Sequence, residues 1–91
     1  MPAAEERAAQ QRRIVNRLKR ARGQLDAVIA AVEDGEPCRD VVTQLSAATH
    51  ALNRAGFMVV ANAMEDCVAN PESPRDGMTT EELEKLFLAL A

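Results

Sequence analysis

The segment from Cys38 to Cys67 limits the possible folds of this chain more than any other feature. These are the only two cysteines, and the 28 residues between them include no proline and one glycine, Gly56. Apolar residues recur there in steps of four and three, at Val41, Leu45, Ala48, Leu52, Ala55 and Val59. This spacing is the period of a helix and not the alternation of a strand. The segment therefore predicts one long helix, over about residues 37–69.

The two thiols lie at opposite ends of this predicted helix. Continuous α-helical geometry separates Cys38 from Cys67 by roughly 43 Å and returns the second thiol to within about 20° of the first. The thiols therefore share a face but cannot meet within one chain. Two antiparallel copies of the helix, related by an axis near Leu52 and Asn53, would bring Cys38 of one subunit beside Cys67 of the other, twice per dimer. Gly56, one turn past that axis, is where we expect two helices to cross closely.

A second apolar pattern predicts another long helix before the first. It covers about residues 3–34 and has the same four-three spacing. Its expected core positions are Ile14, Leu18, Ala21, Leu25, Val28 and Val32. Gly35 suits the left-handed residue that closes a helix, and Pro37 suits the first turn of the next. Cys38 is then in a first helical turn, where the positive end of the helix dipole favours a nucleophilic thiolate. A small apolar cysteine in a helical core is the alternative.

A short third helix is expected near the end of the chain. Pro71 cannot continue the long helix. Thr79 followed by Glu82 forms a capping-box pattern, which predicts a helix over about residues 79–90. We therefore expect an all-α protein, a single domain over residues 1–91, with two long helices and one short helix.

Length and composition bound the class of protein. A chain of 91 residues without Trp or Tyr builds a thin core, so association with further copies of itself is expected. The sequence has no apolar run of the length that spans a bilayer, and its charged N-terminal residues differ from a signal peptide. We expect a cytoplasmic protein, with no membrane partner. In that compartment two cysteines are more often reduced, reactive or metal-binding than joined in a structural disulfide.

Charge is distributed unevenly along the chain. The net charge is −3, but residues 1–22 hold seven basic and two acidic side chains, whereas the remainder holds four basic and twelve acidic. Clustered positive charge of this kind can contact nucleic acid phosphates even in an acidic chain. A solvated helix face is the other interpretation. The basic cluster consists mainly of Arg12, Arg13, Arg17, Lys19, Arg20 and Arg22.

Three stretches of the sequence resemble one family. They are Asn16–Leu25 in the first helix, Cys38–Ala47 at the start of the second and Asn62–Cys67 at its end. In this order they resemble the copper-sensitive operon repressor family (CsoR/RcnR/FrmR), whose branches sense copper, nickel, formaldehyde or sulfane sulfur. The resemblance covers residues 10–90.

The resemblance implies a DNA-binding repressor. Its expected form is an antiparallel four-helix-bundle dimer, usually doubled to a homotetramer, with sensor sites between subunits. Its partner is double-stranded operator DNA, bound without a helix-turn-helix and released when the sensor site is occupied. Arg17 and Arg54 fall on family DNA-contact positions, and Arg13 and Arg20 are weaker candidates beside them.

One position departs from the pattern of the copper sensors. Those proteins have histidine where this chain has Ala63, between cysteines at the positions of Cys38 and Cys67. The remaining dithiol resembles the persulfide-sensing (CstR-like) branch, so we predict that reactive sulfur is the small-molecule inducer and that no cofactor is required. In this interpretation Cys38 attacks sulfane sulfur and Cys67 of the partner subunit resolves the persulfide. Cu(I) held by the same two thiolates is the main alternative, because soft Cu(I) accepts thiolate ligands.

Further alternatives remain open at this point. Pro2 and the stretch 35–38 resemble the formaldehyde-sensing branch, although the residues at 63 and 67 do not. Outside this class, the alternatives are a helical interaction protein with no DNA role and a thiol-transfer enzyme. We predict no enzyme, because no general base is expected near either thiol. His50, the only histidine, lies about 120° from the cysteine stripe and is expected at the surface or an interface.

Overall fold

The protein is a helical hairpin with a short third helix packed on it. The computed structural model describes residues 4–70, 72 and 77–91. Its helices are α1 (Ala4–Glu33), α2 (Cys38–Ala69) and α3 (Thr80–Leu90), and the described residues include no strand. The expected all-α class with three helices is confirmed. Residue 3, the expected start of the first helix, lies outside the described residues, as does Pro2.

The turn between α1 and α2 is fixed by local backbone chemistry. Gly35 has a positive φ of 67°, which L-residues with a side chain adopt at a cost. Its N–H donates to the carbonyl of Val32, and the N–H of Glu36 donates to the carbonyl of Ala31, at 3.1 and 3.0 Å. This is the Schellman arrangement that satisfies the last carbonyls of a helix. Pro37 is the N-cap of α2 and not part of its first turn, so α2 begins at the residue after it.

Small side chains hold α1 against α2. Ala21, Ala31, Ala48 and Ala55 are each 1–2% exposed, and Val28 is 8% exposed. Alanine at these positions lets the two backbones approach closely, so larger side chains on neighbouring positions lie outside the contact. The expectation that Leu18, Leu25 and Val32 of α1 are core positions is therefore wrong for a single chain. The larger apolar residues of α2 are exposed in the same way. Together they form an apolar row, 44–61% exposed, which consists of Leu18, Leu25, Val32, Leu45, Leu52 and Val59.

Helix α3 packs on the C-terminal half of α2. Thr79 caps it as expected, since its hydroxyl accepts the N–H of Glu82 at 3.2 Å. Leu83 is the buried anchor of the helix at 3% exposure. A Cβ on Gly56 would lie 2.9 Å from both terminal methyl groups of Leu90. Within one chain, the close approach at Gly56 is made by a side chain of α3.

Replacing Leu83 with alanine is expected to destabilise the protein by about 2–5 kcal/mol, the usual cost of removing a buried leucine side chain. Leu88 on the same helix is 61% exposed, so Leu88→Ala should change stability little. Chemical denaturation followed by circular dichroism measures both variants. Equal stability losses in the two variants would mean that Leu83 does not anchor α3.

No described helix combines the length and the apolar character needed to cross a membrane.

Candidate functional site

Cys38 is the first residue of α2, directly after the Pro37 N-cap, and its side chain is exposed. The backbone N–H groups of a first helical turn have no partner inside the helix, and they create positive potential near this thiol. Here the carbonyl of Pro37 accepts the N–H groups of Asp40 and Val41 at 2.9 and 3.2 Å, which begins the helical hydrogen bonding. Cys38 is therefore accessible to a reagent from solution and lies at the N-terminal end of the helix.

Cys67 has a different environment at the far end of the same helix. It is half-buried in an apolar groove between α2 and α3, called the Cys67 groove here, with a volume of about 380 Å³. The thiol lies 3.9 Å from the carbonyl oxygen of Met78, in position to donate a weak hydrogen bond. The groove is lined by Met64, Cys67, Val68, Thr80, Leu83, Glu84 and Phe87.

The two thiols stay apart within one chain. Because α2 is continuous, helical geometry separates them by roughly 43 Å. Among the described residues of one chain, no three His, Cys, Asp or Glu side chains form a group that could hold a metal ion. Any shared chemistry of Cys38 and Cys67 therefore requires a second copy of the chain.

Ala63 lies one turn before Cys67 and is half-buried. It lines a separate groove of about 260 Å³ where the start of α1 meets the end of α2 and α3, between Ile14, Val59 and Asp66. A methyl group therefore occupies the position at which copper sensors of the resembled family have an imidazole. Space for a larger side chain is present beside it.

The predicted DNA-contact residues lie together across the hairpin. Arg17 and Arg20 of α1 and Arg54 of α2 line one open groove of about 510 Å³, called the basic groove here. Arg13 lies beside it in a cleft of about 290 Å³ that Arg17 and Arg20 also line. None of the described residues that line either cleft is acidic. The antiparallel pairing of the helices therefore concentrates positive charge from distant parts of the sequence.

His50 also lines the basic groove, which its angle from the cysteine stripe does not predict. The spacing of four residues between His50 and Arg54 does predict it, since residues four apart share a helix face. Gln24 and Asn53 add amide groups to the same groove, and the Oε1 atom of Gln24 is buried without a hydrogen-bond partner.

The apolar row and the basic groove lie on opposite sides of the hairpin. Ala48 and Ala55 of α2 are buried against α1. Counting 100° per residue from Ala55, Leu52 lies about 60° to one side and Arg54 about 100° to the other. One side of the hairpin thus presents large apolar side chains, and the other presents cations.

The comparisons with known proteins agree on one family. The model of the metal-sensitive transcriptional repressors matches residues 10–89. A copper-sensing transcriptional repressor, CsoR, of Mycobacterium tuberculosis (strain H37Rv) is 33% identical over 87 residues, which cover 96% of this chain and 71% of the relative. The copper-sensing repressor RicR of the same strain is 32% identical over 68 residues, covering 75% of this chain and 71% of RicR.

A further relative has no function in its name. The uncharacterized protein YrkD of Bacillus subtilis (strain 168) is 43% identical over 54 residues, which cover 59% of this chain and 82% of YrkD. No solved structure matches the chain significantly. The family model spans nearly the whole helical hairpin and α3, and that family consists of transcriptional repressors and not of enzymes. The chain belongs to the metal-sensitive transcriptional repressors, the CsoR family.

Proposed function

We propose that this repressor binds operator DNA through the basic groove and releases it when reactive sulfur bridges Cys38 of one subunit to Cys67 of its partner. The observation that carries the proposal is the pair of thiols at opposite ends of one face of α2, with alanine at the position of a third ligand. A dithiol without further ligands suits sulfur exchange better than high-affinity metal coordination.

The apolar row supports the dimer that this pairing requires. The row consists of six large apolar side chains of α1 and α2, each about half exposed, and monomeric proteins rarely leave a large apolar patch in water. When the row of one copy packs against the same row of a second copy, the contact is isologous. A dimer of this kind contains the pair of Cys38 and the partner's Cys67 twice. We expect two such dimers to associate as a tetramer, which multiplies the number of basic grooves.

The DNA partner is inferred from the length and the charge of the basic groove. From Arg13 in the adjoining cleft to Gln24 in the basic groove, the α1 wall extends over roughly 16 Å, at the helical rise per residue. Phosphates of one DNA strand follow each other about every 3.4 Å along the duplex axis, so this wall spans several of them. Arginine provides charge to the phosphates, while His50 and Asn53 provide hydrogen-bonding groups on the opposite wall.

The proposed sensing chemistry conserves atoms and electrons. The Cys38 thiolate attacks the terminal sulfur of an organic persulfide, RS–SH, which breaks that S–S bond and releases RS⁻. Cys38 then carries S–SH. The thiolate of Cys67 from the partner subunit attacks the inner sulfur and releases HS⁻, leaving an intersubunit disulfide. The two thiols are oxidised, the sulfane sulfur is reduced to sulfide, and a further persulfide would lengthen the bridge by a sulfur atom.

Cu(I) is the second candidate inducer. The names of the CsoR and RicR relatives state that those proteins sense copper, and the same intersubunit thiol pair offers two soft ligands. In this alternative Cys38 and Cys67 hold the ion, as a regulatory ligand and not as a cofactor needed for folding.

Intact-mass analysis distinguishes the two inducers. The reduced protein is incubated with an organic persulfide, denatured without reductant and weighed, while a parallel sample is titrated with Cu(I) against a chelator. A covalent dimer, alone or heavier by whole sulfur atoms, together with weak Cu(I) binding supports sulfur sensing. A monomer mass together with tight stoichiometric Cu(I) binding supports copper sensing.

Replacing Arg54 with alanine is expected to weaken operator binding by removing a cation from the basic groove. The slope of log affinity against log salt concentration should become shallower by about 0.9 for each phosphate that the variant no longer neutralises. Arg39→Ala is the matched control, because Arg39 is an exposed cation of α2 outside the groove. Fluorescence anisotropy at several salt concentrations measures both variants. A larger fall in affinity for the Arg39 variant would place the DNA surface elsewhere.

A further inference from the structure

The only two aromatic side chains of the chain contact each other between the Cys67 groove and the basic groove. Phe57 of α2 and Phe87 of α3 have ring centroids 5.4 Å apart with planes tilted by 42°. Phe87 lines the Cys67 groove, and Phe57 lines the basic groove. One ring contact therefore joins the wall of the sensor thiol to the wall of the DNA-contact arginines.

We propose that this ring pair transmits modification of Cys67 to the basic groove, so that Phe57 and Phe87 are positioning residues of the repressor. The proposal rests on the proposed function and adds how occupancy of the sensor site changes DNA affinity. Neither ring has a group that reacts with a persulfide or carries charge to the DNA.

Packing supplies the physical reason. A bridge at Cys67 ends the hydrogen bond from this thiol to the carbonyl of Met78 and ties the start of the partner subunit's α2 to the Cys67 groove. The groove has room for the added sulfur, so it is the tethered helix end that displaces α3, and a packed helix moves as a unit and not by compressing. Phe87 is part of the α3 wall of that groove, so displacement of α3 moves its ring.

The other ring carries the displacement to the cations. Aromatic pairs at this centroid separation gain from a specific relative orientation, so movement of Phe87 is communicated to Phe57. Phe57 is three residues after Arg54 on the same helix face and shares the groove wall with it. A shifted Phe57 changes the position of Arg54 relative to Arg17 on the opposite wall. The distance between these two cations then no longer matches the phosphates of the DNA backbone.

The test compares how far a persulfide lowers operator affinity in matched variants. Full-length reduced protein is titrated with operator DNA before and after glutathione persulfide treatment, and mass analysis verifies equal bridging. In the unmodified sequence, affinity should fall by about 5–150-fold, the usual range of allosteric coupling. Phe87→Leu, at a residue outside the basic groove, should keep the reduced affinity and show a fall of less than about 2-fold. Phe57→Leu changes a residue of the basic groove, so only the ratio of its affinities before and after treatment is compared, and this ratio should also be less than about 2-fold. Phe87→Tyr, which keeps the ring, should restore the full response.

Two controls separate the ring pair from other roles of α3. Leu88→Ala changes an exposed residue of α3 and should leave the response unchanged. Leu90→Ala weakens the docking of α3 at Gly56 without removing a ring, and should keep most of the response. A full response in Phe87→Leu, or an equal loss in Leu90→Ala, would overturn the inference. No response in the unmodified sequence would instead refute the proposed function.

Discussion

Replacing Cys38 with alanine is expected to abolish the response to a persulfide while leaving operator binding intact. Cys38 is exposed at the start of α2 and lies far from the basic groove, so its removal takes away no DNA-binding group. Without it, the Cys67 of the partner subunit has no second thiol to form a bridge. The inducer-dependent fall in affinity, expected at about 5–150-fold in the unmodified sequence, should disappear.

Operator titrations of the reduced and treated variant measure this effect, and non-reducing mass analysis should show no covalent dimer. Ser46→Ala provides a matched control, since Ser46 is another exposed residue of α2 that lines none of the described grooves. That variant should respond fully. If reduced Cys38→Ala lost its operator affinity, Cys38 would have a structural or DNA-binding role and the sensor assignment would be wrong.

The difference between the two thiols determines their proposed order of reaction. Cys38 is exposed at a helix N-terminus, whereas Cys67 is half-buried in an apolar groove. A persulfide in solution reaches the exposed thiol first. The half-buried Cys67 then reacts with the persulfide on Cys38 of the other subunit, because the dimer holds the two groups close together. Its burial limits its reactions with other reagents. This division of access favours an intersubunit bridge over separate modification of each cysteine.

The helix ends could be predicted from the sequence because each depends on local chemistry. Gly35 provides the left-handed conformation that closes α1, and Thr79 caps α3 with its hydroxyl. These signals act over a few residues and need no knowledge of the tertiary structure. The separation of Cys38 and Cys67 could likewise be predicted, since it follows from the rise of one uninterrupted helix.

The burial of individual residues could not be predicted in the same way. The four-three spacing marks an apolar stripe, but it does not say whether a neighbouring helix of the same chain or another copy covers it. In this chain Ala48 and Ala55 face α1, while Leu52 between them is 50% exposed. The sequence pattern treated all three as equivalent because they share one periodicity.

Features that depend on the packing of α3 could not be predicted from the sequence either. The residue that approaches Gly56 is Leu90, 34 positions later in the chain. The enclosure of Cys67 and the contact between Phe57 and Phe87 depend on the same long-range packing. Periodicity predicts an apolar face on α3, but the partner of that face follows only from the tertiary structure.

Replacing Ala63 with histidine is expected to convert the thiol pair into a high-affinity Cu(I) site. Residue 63 lies one helical turn before Cys67, so an imidazole there would share a face with that thiol. Ala63 lines a groove of about 260 Å³, separate from the Cys67 groove, so the larger ring fits at residue 63 and approaches the thiol along the shared helix face. Because loss of even an outer-shell partner typically lowers metal affinity 10–100-fold, a gained ligand should raise Cu(I) affinity by roughly 100-fold or more.

Competition with a Cu(I) chelator measures the affinity of the Ala63→His variant. Asn62→His is the matched control, since residue 62 is also half-buried but lies about 100° around the helix from residue 63, away from the face of Cys67. It should bind Cu(I) no more tightly than the unmodified sequence. If the unmodified sequence already binds Cu(I) as tightly as Ala63→His, the two thiolates suffice for copper sensing and reactive sulfur is not the preferred inducer. Equal gains in both histidine variants would show that Ala63 does not face the thiol pair.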